Sequence, residues 1–425
     1  MSTEERISAD LVVCRLAQVA TPGGETGQPL RGAELGNIEV HEGDMWIAAY
    51  GGEIVAVGHG WEIRDRLELD DGAVIIDAPG LVAVPGLIDC HTHTCYAGDR
   101  VDEFEQRVRG ASYEEIHASG GGILSTVRAT RQASQPELVE STRRHLAAML
   151  EHGATTVEIK SGYGLDPESE QLMLRAIQEA SYESAAHIVA TCLAAHAIPE
   201  EADSADAYIQ TCIDELLPEV AEWGLAEAAD VFCERGAFDV EQSRRYLEAA
   251  REHGLALRLH GDQFAEIGAL DLAIELGARS IDHLEATGTE GVVKLAASDV
   301  VGVALPTAAL TLGRPLPPAR ALVDAGGLLA LATDFNPGSS PCDSLPAVMH
   351  LACTQMHLSP REALVAVTAN AAHVLGIGER AGRLRVGQRA DIALLDVPDW
   401  RYLAYRLGSE GIKHVIIEGV WALEG

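Results

Sequence analysis

Two histidines one residue apart, His91 and His93, close an apolar run in PGLIDCHTHTCYAGDRVDEF, residues 85–104. Successive side chains of an extended strand point to opposite faces, so residues two apart share a face and can bind one metal ion. Other polar groups stand in matching places. His196 follows HIVATCLAA, His260 lies in LALRLHGDQF, His283 in RSIDHLE and Asp334 in LLALATDFNPG, each at the end of a short apolar run. Taken singly, each is an ordinary hydrogen-bonded core residue, and Asp334 reads equally as a helix cap. Taken together, six such groups at strand ends exceed what packing requires, and they point to a metal site. Imidazole and carboxylate ligands without thiolates suit zinc, iron(II) or manganese, and spacing does not choose among them. A catalytic metal keeps one position open for water, whose pKa falls toward ~7 on zinc. Hydrolysis is the chemistry that follows.

Such a site needs a frame that presents strand ends side by side. The middle of the chain has short apolar runs at 81–90, 155–164, 187–196, 255–264, 279–285, 300–306 and 328–338. Between them lie amphipathic stretches such as QPELVESTRRHLAAMLEHG and VEQSRRYLEAAREHG, with apolar residues at helical spacing and a terminal glycine. Strands apolar on both faces, alternating with helices, indicate a parallel sheet covered by helices. GGGILSTV, residues 120–127, supplies an eighth run. Eight units over about 300 residues fit a TIM-like (β/α)8 barrel, whose reactive groups sit at the C-terminal ends of its strands. On this count Lys160 ends strand three, His196 strand four, His260 strand five, His283 strand six and Asp334 strand eight. Both ends of the chain are strand-like instead, with a hairpin expected at Gly51-Gly52. Residues 1–80 and 381–425 are expected to form a small β-sandwich domain, discontinuous in sequence, and 81–380 the barrel.

Asp and Glu number 65 against 31 Lys and Arg, a formal net charge of −34. This argues against nucleic acid or an acidic membrane as partner, since both require a cationic surface. A small anionic substrate would be repelled by the overall field and need a local cation. The start, MSTEERISAD, lacks the layout of an export signal. No apolar stretch reaches the ~18–20 residues of a membrane span. The eight cysteines are scattered, with no CxxC pair, and are expected to be reduced in a cytoplasmic protein.

VPGLIDCHTH, LHGDQF, IDHLE, ATDFNPGSS and the terminal GRLRVGQRADIALLD together resemble the amidohydrolase superfamily. That resemblance implies a metal-bearing barrel with a β domain made from both ends. Longer strings, RVRGASYEEIHASGGGILSTVRATR, EIKSGYGLD, AAHAIP, DVFCERGAF and TDFNPGSSP, are similar to the branch that opens an imidazolone ring in histidine degradation. The similarity runs from residue 80 or so to the C-terminus, and the earlier residues match only the general layout. Carried over by position, it implies His91, His93, His260 and Asp334 as ligands of one divalent metal, zinc or iron. His283 and Asp334 become the catalytic residues, His283 polarising the carbonyl or assisting proton transfer. Arg100, Tyr113, Tyr163, His196, Asn336, Gly338 and Ser339 match positions that hold substrate, with Gln263 beside them.

The implied reaction converts 4-imidazolone-5-propanoate to N-formimidoyl-L-glutamate, Asp334 passing a proton from the attacking water to the departing ring nitrogen. Arg100 would hold the substrate carboxylate in a forked pair, supplying the local cation. A surface arginine paired with Asp99, Asp102 or Glu103 is the plainer reading of that residue. A homodimer is implied by the resemblance alone.

Other readings are another mononuclear amidohydrolase, acting on a different cyclic amide or deaminating a heterocycle, and a non-catalytic scaffold. Deaminases of the superfamily use a glutamate where Gln263 stands, and glutamine can only hydrogen-bond. A scaffold would lack ligands, and all are present here. Lys160 raises a further question, because two-metal relatives bridge their ions with a carboxylated lysine. That lysine usually comes from strand four, a place assigned here to His196, which favours a single metal.

Overall fold

The computed structural model describes residues 6–110, 121–409 and 411–424. Two compact units divide the chain. One comprises Met1–Cys90, Met149–Thr156 and Ser344–Gly425, the other His91–Ala148 and Val157–Asp343. Among the described residues no helix is long and apolar enough to cross a membrane.

The first strands are β1 (Ile7–Pro22), β2 (Ile38–Tyr50), β3 (Glu53–His59), β4 (Leu67–Asp77) and β5 (Val82–Pro85). β1 is long enough to serve as a spine: it pairs antiparallel with β2, and in parallel with β4 along its first half and with β5 near Gln18. Gly51 and Gly52 join β2 to β3 with φ of 59° and 84°, the left-handed pair that a tight hairpin requires.

The barrel strands follow as β6 (Leu87–Asp89), β7 (Ala154–Lys160), β8 (His187–Ala195), β9 (Ala228–Cys233), β10 (Ala256–Gly261), β11 (Ser280–His283), β12 (Val301–Ala304) and β13 (Leu329–Leu331). The chain ends in β14 (Ile392–Leu395), β15 (Ile412–Ile417) and β16 (Val420–Glu424). These last strands join β5 antiparallel through β14, giving one mixed sheet in the order β16-β15-β14-β5-β1-β2-β3, with β4 beside β1. Leu11, Val13, Ile47 and Ile54 from one arm of that sheet share a core with Ile392, Leu394 and Ile416 from the other. The β-rich domain of the two termini is therefore a single sheet whose arms bury one another's apolar faces.

The barrel sheet runs in sequence order from β6 to β13. Its ends meet just beyond the strands. Thr92 bridges Phe335 in parallel, His93 N–H donates to Phe335 C=O at 2.9 Å, and Asp334 N–H donates to His91 C=O at 3.0 Å. Closure thus runs through the segments that carry the expected ligands.

Two strand assignments need correction. In GGGILSTV the described residues from Ile123 belong to a helix, Ile123–Gln132, because a short apolar run has no periodicity that separates strand from helix. The strand overlooked is β9, AADVFC, which has one β-branched residue and an aspartate in its centre. Lys160 therefore ends the second barrel strand and His196 follows the third, while the places of His260, His283 and Asp334 stand. The fourth strand leads into Glu234, not a lysine.

Gly86, between β5 and β6, explains the glycine of VPGLID. A Cβ there would collide with the Thr155 side chain, and Gly86 N–H also donates to Asp391 C=O at 2.9 Å. Gly86→Ala is expected to cost about 1–3 kcal/mol, the usual range for overpacking. A lowered denaturant midpoint at constant slope would bear this out, and an unchanged midpoint would contradict it.

Candidate metal centre

The side chains of His91, His93, His260 and Asp334 converge, all buried, at the C-terminal ends of β6, β10 and β13. Asp334 Oδ1 lies 3.3 Å from His93 Nε2 and 3.6 Å from His91 Nε2, and His93 Nε2 lies 3.4 Å from His260 Nε2. Tetrahedral ligands at ~2.0–2.1 Å from zinc stand about 3.3 Å apart, so this spacing fits one ion. The protonation pattern fits as well. His91 Nδ1 lies 2.6 Å from Asp282 Oδ2, and His260 Nδ1 lies 3.1 Å from Asp230 Oδ1. Carboxylates only accept, so each Nδ1 carries the proton and each Nε2 keeps its lone pair for a metal. Burial, aided by neighbouring cations, holds His91 and His93 well below the ordinary histidine value, and burial lowers His260 despite Asp230. Neutral imidazole is the form that binds metal. Three imidazoles and a carboxylate so arranged suit a divalent ion.

His283 is different. Burial opposes its charge, but the Glu285 carboxylate, 3.4 Å from Nδ1, together with Asp334 and Asp282, raises it to about 9. Its charged form is thereby favoured, and its ring centroid lies 5.2 Å from that of His260. His283 and Asp334 both take positive φ, 87° and 53°, conformations that non-glycine residues adopt at a cost. Burial raises the Asp334 carboxyl, with His283 and His260 opposing.

Beneath the ligands lies a layer of buried charge. Lys160 Nζ sits 2.7 Å from Glu158, 2.8 Å from Asp230 and 3.8 Å from Asp282, and Arg258 Nη1 reaches Glu158 at 2.6 Å. All five side chains are essentially inaccessible to solvent. Burial would raise Asp230, yet His260 and Lys160 hold it well below the carboxylate range. Asp282, farther from Lys160, is pushed up to about 7 by burial. Of these residues only Lys160 stands out in the sequence, as a possible bridging lysine. The signal available was a charge inside a strand apolar on both faces, where it is costly unless paired.

Of the expected substrate residues, His196 and Tyr163 stand directly beside this centre. The His196 ring stacks on His93, centroids 5.1 Å apart, and its Nδ1 lies 3.0 Å from Gly162 C=O. Tyr163 is buried 6.0 Å from the His93 ring and 5.6 Å from that of His196. Arg100 pairs with Glu103, as the plainer reading of it allowed, through Nε at 2.8 Å and Nη2 at 2.7 Å. Its Nη1 lies against Gly338, where any Cβ would collide with it. Asn336 spends its amide on its own turn: Oδ1 accepts from Gly338 and Ser339 N–H at 2.8 and 2.7 Å, and Nδ2 donates to Ser339 Oγ. Gln263 is buried three residues past His260. Tyr113 lies outside the described residues.

A barrel with ligand-ready histidines at its catalytic end and a β-rich partner sheet defines a metal-dependent hydrolase. The chain belongs to the amidohydrolase family, whose model matches residues 82–422. Within that family its relatives include the imidazolonepropionase of Rubrobacter xylanophilus, 55% identical over 409 residues, covering 96% of this chain and 97% of the relative. That of Deinococcus radiodurans is 45% identical over 404 residues, covering 95% and 97%. Among solved structures, a zinc-bound adenosine deaminase from Xanthomonas campestris superposes with a TM-score of 0.74 at 20% identity, covering 99% of this chain and 94% of the other. Guanine deaminase from E. coli gives 0.70 at 15%, covering 97% and 99%. At these identities the deaminases share the fold.

The SGYG loop that carries Tyr163 has its own brace. Glu170, fully buried on the following helix, accepts from the N–H groups of Gly162, Gly164 and Leu165 at 2.9, 2.7 and 2.8 Å. Glu170→Ala should speed hydrogen exchange at those amides on the order of 10–100-fold, the loss expected for hydrogen bonds to a carboxylate. Unchanged protection would show that the loop holds its shape by packing.

Proposed function

We propose that the chain catalyses hydrolytic opening of 4-imidazolone-5-propanoate to N-formimidoyl-L-glutamate, a step of histidine degradation. The observation that carries this reading is the pairing of neutral, ligand-ready His91, His93 and His260 with a protonated His283, in a chain whose curated relatives are imidazolonepropionases. His91, His93, His260 and Asp334 would hold one divalent ion, zinc or iron, which would supply a water of pKa lowered toward ~7 and a Lewis acid for the amide carbonyl. Asp334 takes the proton of the attacking water and delivers it to the ring nitrogen as the C–N bond breaks. His283, kept charged by Glu285, donates toward the carbonyl oxygen as negative charge grows there. Tyr163 and His196 stand beside His93, where they would flank the bound ring. Arg100 accepts the propanoate: Glu103 holds one edge of the guanidinium and orients the Nη1 side toward the 336–339 turn. Asn336 shapes that turn, and Gly338 and Ser339 line it.

Gln263 cannot relay a proton, which disfavours deamination. Cytoplasm is the compartment that suits this role, and six of the eight cysteines are buried.

The direct test generates the unstable substrate from urocanate in situ and follows formimidoylglutamate by mass spectrometry. Product is expected with metal-loaded protein, is lost on chelation and returns with added zinc or iron. No product from a loaded sample would refute the reading. Arg100→Met should raise KM on the order of 10–100-fold, the worth of a charge-assisted hydrogen bond, with kcat within a few-fold of the parent. An unchanged KM would place the carboxylate elsewhere.

A further inference from the structure

We propose that Lys160 is the positioning residue of the metal centre, a single ammonium that sets the orientation of two ligands at once, His260 through Asp230 and His91 through Asp282. The inference rests on the reading of His91, His93, His260 and Asp334 as one divalent-metal site.

Lys160, Asp230 and Asp282 come from β7, β9 and β11, alternate strands whose inward residues share a layer of the barrel. One acceptor atom each of Asp230 and Asp282 and a ring nitrogen of His260 lie within 4.8 Å of one another. Two carboxylates that close, both buried from solvent, repel strongly unless a cation stands by. The ammonium is that cation, 2.8 Å from Asp230 and 3.8 Å from Asp282. Both carboxylates can then keep an oxygen on the Nδ1 of their histidine, 3.0 Å for Asp230 and 2.6 Å for Asp282. Glu158 anchors the ammonium from below at 2.7 Å, and Arg258 and Thr191 Oγ1 anchor Glu158 in turn, each at 2.6 Å.

Glu158, Asp230 and Asp282 surround the Lys160 ammonium, and the Arg258 guanidinium pairs with Glu158. Lys160 thus does for Asp230 and Asp282 what a second metal would do, which leaves the site built for one. Without it these carboxylates separate and release the imidazole rings they aim. Metal affinity should fall by about 10–100-fold, the usual effect of losing a partner that orients a ligand.

The test compares zinc affinity, by competition with a chromophoric chelator, for the full-length parent, Lys160→Met, Glu158→Gln and the double variant Glu158→Gln/Lys160→Met. The double variant removes one carboxylate with the ammonium, so it preserves the charge balance if Lys160→Met alone does not fold, and thermal melts of the metal-free proteins establish folding. The expected result is affinity lower by about 10–100-fold for whichever Lys160 variants are folded, with a smaller loss for Glu158→Gln, which loosens the anchor but keeps the ammonium. Folded Lys160 variants that bind zinc as tightly as the parent would overturn the positioning role. Failure of the parent itself to bind zinc or iron would overturn instead the metal site on which the inference rests.

Discussion

A charge taken out of water inside a barrel must be paired there, and the structure turns on that constraint. Glu158, Lys160, Asp230, Arg258 and Asp282 fill a layer where barrels commonly pack branched aliphatic side chains. Apolar residues in that layer would stabilise the fold at least as well, since buried ion pairs seldom repay their desolvation against a hydrocarbon alternative. Hydrocarbon could not aim an imidazole. The ionic layer does so through Asp230 and Asp282, each bonded on one side to a ring Nδ1 and drawn on the other toward Lys160. Ligand geometry at the mouth is thereby set by residues one layer down.

The same environment divides the five histidines of the site into two kinds. His91, His93, His196 and His260 are held below the ordinary range, chiefly by burial. His283 is equally buried and moves the other way because Glu285 stands against its Nδ1. One carboxylate two residues along the chain thus favours the charged form of His283, where burial alone would favour the neutral one. Metal ligands need lone pairs and an acid needs a proton, so the split suits the proposed hydrolysis.

Much of this was legible in the sequence. His91 and His93 announce themselves because strand alternation puts them on one face, and the strand ends at His260, His283 and Asp334 were correctly placed. The eight-fold count held, although one strand was misplaced. GGGILSTV is apolar enough for a strand but belongs in part to a helix, whereas AADVFC forms a strand although its alanines and its aspartate give a weak strand signal. That aspartate is Asp230, the partner of His260. The feature that hid the strand is the one that serves the site. The pairing of Arg100 with Glu103 was open to a local reading, but the bracing role of Lys160 was not, because it acts between residues as far apart as 160 and 282, which no local pattern records.

The most direct measurement is anomalous scattering at the metal's absorption edge from crystals of the loaded protein. One peak is expected per chain, within bonding distance of His91, His93, His260 and Asp334, with Lys160 an unmodified ammonium between Asp230 and Asp282. A second peak beside those two aspartates, or a metal bound away from the histidines, would contradict the ionic layer as the foundation of the site.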